Sequence, residues 1–177
     1  GYLKTLSEKY GMVERLQPIF AGKGSRKGRF YIKDNFLRSW LAALAVTTAS
    51  TNFRQLQPLL AEADQKLKDA EGHTFERLIW TLYEERSRKG FGDFPLTKRI
   101  HGYWDRAGTE IDIVALNESE NNIRFGSCKR NEDKLISDLT NFDGHIQRFL
   151  ESFPEYKSWN IQKILHAPIL SQRTRTE

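Results

Sequence analysis

The sequence predicts an α/β (α+β) chain, in which a helical stretch and a basic-tipped hairpin precede a mixed sheet flanked by helices. Three observations carry this. Apolar residues recur at helical spacing as far as "GFGDFP" (90–95), and beyond it they alternate with period two. From residue 73 the elements run helix, strand, strand, strand, helix, strand, an order that fits a mixed sheet with helical covers. Of the 177 residues, 38% are hydrophobic and 12% aromatic, enough to build a core.

The first element, "YLKTLSEKY", has Leu3 and Leu6 at helical spacing and ends at Gly11. "MVERLQPIF" alternates, "AGKGSRKGR" is a glycine-rich basic turn, and "FYIKD" returns as a strand. A helix followed by a basic-tipped hairpin looks like the end of a winged helix-turn-helix. The turn is not a nucleotide-binding loop. Gly24 follows Lys23 where Ser or Thr is needed, and the chain leads into a strand instead of a helix N-terminus.

"DNFLRSWLAALAVTTAS" begins with Asp34 as N-cap, and Phe36, Leu37, Trp40, Leu41 and Leu44 form its apolar face. A second helix is expected from near Pro58, with Leu59, Leu60, Ala63 and Leu67 inward and Gly72 as its end. A third, "HTFERLIWTLYEERSRK", buries Phe75, Leu78, Ile79, Leu82 and Tyr83. "LTKRIHGYW", "TEIDIVALN" and "NIRFGSCKR" read as strands, "KLISDLTNFDGHIQRFLESF" as one helix and "NIQKILHAPIL" as a last strand.

Charge narrows the partners. Residues 1–33 hold eight Lys or Arg against Glu8 and Glu14, a net +6 that leaves −1 for the remainder of a +5 chain. A local excess of this kind suits a polyanion such as DNA, with Lys23, Arg26, Lys27 and Arg29 as phosphate contacts. A solvated, mobile hairpin tip explains it equally well. No apolar run approaches a membrane span, and "GYLKTLSEKYGM" lacks the apolar core of a signal peptide. The single Cys128 excludes an internal disulfide and fits a reducing cytoplasm. The chain opens on Gly1 and stops at "SQRTRTE", so a fragment of a longer protein is expected.

"EID" on one strand and "SCK" on the next place Asp112 near Ser127 and Lys129 if the strands pair in register, with Glu110, Asp112 and Val114 sharing a face. An acid between two isoleucines is costly unless it is paired. Asp112 therefore reads as a site residue, or as half of a buried bridge to Lys129. Glu76 is either a helix-surface charge or a third member of the site, and Glu110 is more simply an exposed strand residue. Tyr103 and Trp104 read as core or rim. His73, His101, His145 and His166 have no paired metal-ligand spacing and read as solvent-facing or capping residues.

These markers, with "FE" at Phe75 and Glu76, make residues 72–130 resemble the PD-(D/E)xK nuclease-like superfamily. The longer series "IKDNFLRSWLAAL", "GHTFERL", "GYWDRAGTEIDIVA", "GSCKR" resembles the C-terminal region of uncharacterised prokaryotic AAA-type ATPases. That resemblance implies three parts: a winged-helix end over 1–33, a helical connector over 34–71, and a restriction-endonuclease-like domain over 72–177. It also implies an ATPase module of the same chain as partner. Asp112, Lys129, Glu76 and Ser127 would form the catalytic positions, with Mg2+ or Mn2+ held by Asp112 and Glu76. Ser127 stands where the family pattern has Glu, so a DNA-associated domain with curtailed catalysis is expected. An active Mg-dependent DNA phosphodiesterase and a structural or oligomerisation domain are the alternatives. Among the nearby acids, Asp138 is best spaced to substitute for the missing one.

Overall fold

The computed structural model describes residues 1–22 and 24–170. The expected fold class holds: helices accompany a four-stranded mixed sheet and a separate two-stranded antiparallel sheet. The chain divides into two compact units, residues 1–16 with 28–74, and residues 17–27 with 75–177.

In the first unit, α1 (Tyr2–Glu8) runs out through Gly11 at φ +61°. Strands β1 (Val13–Leu16) and β2 (Arg29–Ile32) then pair antiparallel from Val13–Ile32 to Leu16–Arg29. Asp34 caps α2 (Asn35–Ser39), its Oδ1 accepting the Leu37 N–H at 2.6 Å. A π-helical turn over Trp40–Leu44 follows and leads into α3 (Ala45–Ser50). The wider turn alters the expected face. Phe36, Trp40 and Leu41 are exposed, while Ala43, Thr47 and Ser50 are buried. Arg38 bonds Thr74 and Asn35, and the His73 ring stacks on Tyr31.

The two helices expected around Gly72 are one, α4 (Leu56–Arg88). Gly72 keeps a helical φ, and its neighbours hold the ladder together across it. A glycine weakens a helix by about 1 kcal/mol relative to alanine, which favourable residues on either side outweigh. Leu59 and Ala63 are buried as expected, but Leu60, Leu78 and Leu82 are exposed.

The second unit is built on the sheet order β3 (His101–Trp104), β4 (Glu110–Asn117), β5 (Asn122–Cys128), β6 (Asn160–His166). Its first three strands are antiparallel. β6 lies parallel to β5 after a crossover through α5 (Glu132–Ser137), α6 (Leu139–Ser152) and a 3-10 turn at Pro154–Ser158. The single helix expected over 134–153 is broken at Asp138, where φ is −96° and ψ 0°. One core holds Phe125, Phe142, Ile146 and Phe149, so α6 lies against it. The other holds Trp80, Ile113, Ala115 and Cys128, with Phe75 and Ile79 of α4 beside them.

The glycine-rich basic turn is not a free tip. Residues 17–27 belong to the second unit, with Ile19 in its core and its N–H donated to the Gly102 carbonyl at 2.9 Å. Phe20 stacks on Tyr156 and adjoins Phe153. Trp104 donates its indole N–H to the Lys27 carbonyl at 2.7 Å. Among the described residues, no helix is long and apolar enough to cross a membrane.

Gly72 tests the helix assignment. A Cβ built there meets nothing within 4 Å. Gly72→Ala is expected to stabilise the chain by about 0.5–1 kcal/mol, a rise of about 1–4 °C in Tm by calorimetry. A loss of stability would mean that the helix does not continue through this position.

Candidate functional site

Strand β4 carries one residue more than its partner. His101 pairs with Val114 but Tyr103 pairs with Ile111, so the extra residue lies between Ile111 and Val114. Bulges of this kind re-aim a side chain beside a site. Here the bulge breaks the simple alternation of Glu110, Asp112 and Val114. Ile111 and Val114 share one core, and Ile113 joins the other. Gly102 makes room opposite, since a Cβ there would lie 3.2 Å from the Ile111 carbonyl.

Two bonds hold the bulged residue. Trp80 of α4 donates its indole N–H to the Asp112 carbonyl at 3.0 Å. The Asp112 carboxylate accepts the Cys128 N–H through Oδ2 at 2.7 Å, extending a β4–β5 ladder whose last pair is Ile113 with Gly126. Asp112 is thereby fixed at the strand end, facing a cavity of about 560 Å3.

That cavity brings together Glu76, Asp112, Ser127 and Lys129, the four residues named from "FE", "EID" and "SCK". Glu110 lines it as well. Burial, reinforced by the neighbouring Glu76 carboxylate, pushes the Asp112 pKa up to about 6. Lys129 does not bridge to Asp112. Its Nζ lies 2.9 Å from Asp138 Oδ2. Burial works against the Lys129 ammonium, but the hydrogen bond to Asp138 and the charge of Asp112 outweigh it and raise its pKa. Burial likewise opposes the Asp138 carboxylate, and hydrogen bonds from Lys129 and Asn141 overcome it, so its pKa is lowered. Ser127 is buried, at 4% exposure. The Cys128 thiol points to the core, where burial and then the Asp112 charge hold it well above its ordinary pKa, so it is not a nucleophile.

Sequence reasoning singled out Asp138 but missed the rest of the α6 wall. Asp138, Asn141, His145 and Arg148 follow one another by three or four residues and line the cavity from one side of the helix. The polar row at that spacing was the available signal. His145 is buried, not solvent-facing. Its Nδ1 accepts the Glu110 N–H at 2.6 Å, which leaves the ring proton on Nε2, 3.1 Å from Asn141 Oδ1. Burial, then the Arg148 charge, lowers the His145 pKa, favouring the neutral ring that this bond requires. Arg148 donates from Nε to Thr109 Oγ1 at 3.1 Å.

Among the described residues, no three or more His, Cys, Asp or Glu are grouped so as to hold a metal ion. The donor set therefore does not fit zinc, which takes several protein ligands. Two carboxylates on one polar cavity do fit magnesium, which keeps several of its waters. Of the basic residues named from the turn, Arg26 and Lys27 lie in the second unit and Arg29 begins β2 in the first. All three are exposed and none lines the cavity. Lys23 lies outside the described residues.

Fold and site together define a mixed α+β protein with a carboxylate- and lysine-lined cavity at one end of its sheet. The DUF234 family, described as archaeal and bacterial proteins of unknown function, matches residues 40–141, and the chain belongs to it. It is 30% identical over 154 residues to an uncharacterized protein of Methanocaldococcus jannaschii, an alignment covering 78% of this chain and 32% of that protein. The chain thus spans about a third of the length of this curated relative. No solved structure matches it.

Asp112 makes a prediction about stability. Its folded pKa lies above the ordinary carboxylate value, so its ionised form destabilises the fold above about pH 6, and the penalty fades as pH falls toward 4. Asp112→Asn keeps an oxygen for the Cys128 N–H and is expected to stabilise the metal-free chain by roughly 1–3 kcal/mol at pH 8. At pH 4 the gain should vanish. Thermal melts in a chelator at both pH values measure it, and a destabilised variant at pH 8 would refute the buried charge.

Proposed function

We propose that this chain is a nuclease-like, nucleic-acid-associated domain with a two-carboxylate cation site, in which Ser127 weakens cation binding and so curtails catalysis. The observation that carries this reading is the meeting of Glu76, Asp112 and Lys129 on one polar cavity, with Asp112 pushed up to about 6 by burial and by Glu76. Two acids held so close, with a lysine on the same cavity, suit a cation and a phosphodiester together.

A bound magnesium ion would supply Lewis-acid charge to a phosphodiester oxygen. Glu76 and Asp112 would hold it. Lys129, positioned by Asp138, would offset the charge that gathers on the phosphoryl oxygens. Ser127 offers a neutral hydroxyl where a third anion would tighten the site, and loss of that charge in a partly buried place is costly. The exposed Arg26, Lys27 and Arg29 favour DNA as the polyanion. A winged-helix end, an ATPase module of the same chain as partner, and a cytoplasmic setting follow from the resemblance of the motifs and the reducing character of a lone thiol.

A second reading, an active phosphodiesterase, draws on Asp138, which lines the same cavity and contacts Lys129. It would take the place of the strand acid that Ser127 replaces.

Calorimetric titration with Mn2+ and Mg2+ tests the site. Saturable binding is expected in the wild-type chain and its loss in Asp112→Ala. Ser127→Glu should tighten Mn2+ binding by about tenfold or more, roughly 1.4 kcal/mol per tenfold, and confer plasmid cleavage. No binding by either the wild type or Ser127→Glu would sink the proposal. Cleavage by the wild type that is lost in Asp138→Asn would select the second reading.

A further inference from the structure

Resting on the reading above, we propose that Arg148 is the phosphate-binding group of this cavity and selects a nucleic-acid strand as its ligand. The charge balance leads there. Four acids line the cavity, Glu76, Glu110, Asp112 and Asp138, against two permanent cations, Lys129 and Arg148. Lys129 is engaged with Asp138 at 2.9 Å. The His145 ring accepts the Glu110 N–H and carries no charge in doing so. Arg148 is therefore the cation on this cavity that no carboxylate neutralises among the described residues.

Its geometry suits the task. A guanidinium presents five N–H donors in a rigid fork, and two of its edges can face a phosphate. In Arg148 the Nε edge is spent on Thr109 Oγ1 at 3.1 Å, which fixes the plane of the fork. Thr109 is itself buried, at 1% exposure, so the anchor sits in the packed interior. Gly144, one turn earlier on α6, leaves room beside the guanidinium; a Cβ there would lie 3.6 Å from Nη1. The Nη side of the fork is left to bind an anion.

The arrangement separates two duties along the cavity. Glu76 and Asp112 lie on the side that would take a cation and the reacting phosphate. Arg148 stands on the α6 wall with Asn141 and His145 and would take a neighbouring phosphate of the same strand. A polynucleotide supplies phosphates in series, one for each place.

The test is fluorescence anisotropy with a short labelled oligonucleotide, single-stranded and duplex, in Ca2+ across a salt series. The whole chain is used, as wild type, Arg148→Ala, Arg148→Lys and Arg148→Gln. Arg148→Ala should weaken binding by about tenfold and flatten the slope of log K against log salt by about 0.7–0.9, the loss of one phosphate contact. Arg148→Lys should recover much of both. Arg148→Gln keeps a donor toward Thr109 without the charge and should behave like the alanine variant, which separates phosphate binding from a purely structural role. It also serves if the alanine variant does not fold. Unchanged affinity and slope in Arg148→Gln, with the wild type binding, would overturn the assignment of Arg148 alone. A wild-type chain that takes up Mn2+ through Asp112 yet binds neither oligonucleotide would overturn this proposal and the nucleic-acid reading together.

Discussion

One residue too many in β4 sets the terms for the rest of the site. An unbulged strand would alternate without interruption and leave Asp112 to share a face with Val114. The insertion lets Ile111 and Val114 serve one core and Ile113 the other. The bulge would be costly if its polar groups went unmet. Trp80 satisfies the carbonyl and Cys128 meets the carboxylate, while Gly102 yields the space. A helix, a neighbouring strand and a bare backbone therefore converge on a single position. Each is also part of a core, so the placement of the acid is tied to the packing of the sheet.

The cavity then holds charge that the fold alone does not need. Four carboxylates crowd a space with two cations, and one of those cations is already matched to Asp138. Burial and like charge act together on Asp112, so its ionised form works against the fold. Ser127, a neutral side chain on the same cavity, adds no further charge to it.

Much of this was readable from residues alone, and the failures have physical causes. "EID" and "SCK" located Asp112, Ser127 and Lys129 because strand period and spacing are local properties, and the hairpin between them closed in the register that "ESEN" allows. Asp138 was legible as the best-spaced spare acid. The bulge was not, since nothing in "TEIDIVALN" marks an extra residue; it is defined by Tyr103 and His101 across the sheet. The row Asn141, His145, Arg148 was legible in principle but was hidden behind the apolar stripe of the same helix. Gly72 misled because a glycine ends a helix only when the backbone turns left-handed after it, and here it does not. Trp40 misled because a π-turn rotates the face that regular spacing assigns. A mobile tip stayed open as one of two readings of the basic turn because the anchors beside it, Gly102, Trp104 and Tyr156, lie far along the chain.

Those anchors bear on how the polypeptide reaches its final form. The second unit is assembled from two stretches separated by most of the first. Ile19 and Phe20 are synthesised long before their partners Phe149, Phe153 and Tyr156. Closing such distant contacts costs chain entropy before any burial rewards it, so this core is among the last to form. The two aromatic and aliphatic side chains must wait uncovered in the meantime, a stage at which chains are prone to associate. The unit also cannot be excised as a continuous piece. A cut at residue 74 would leave the C-terminal stretch without the plug that Ile19 and Phe20 provide.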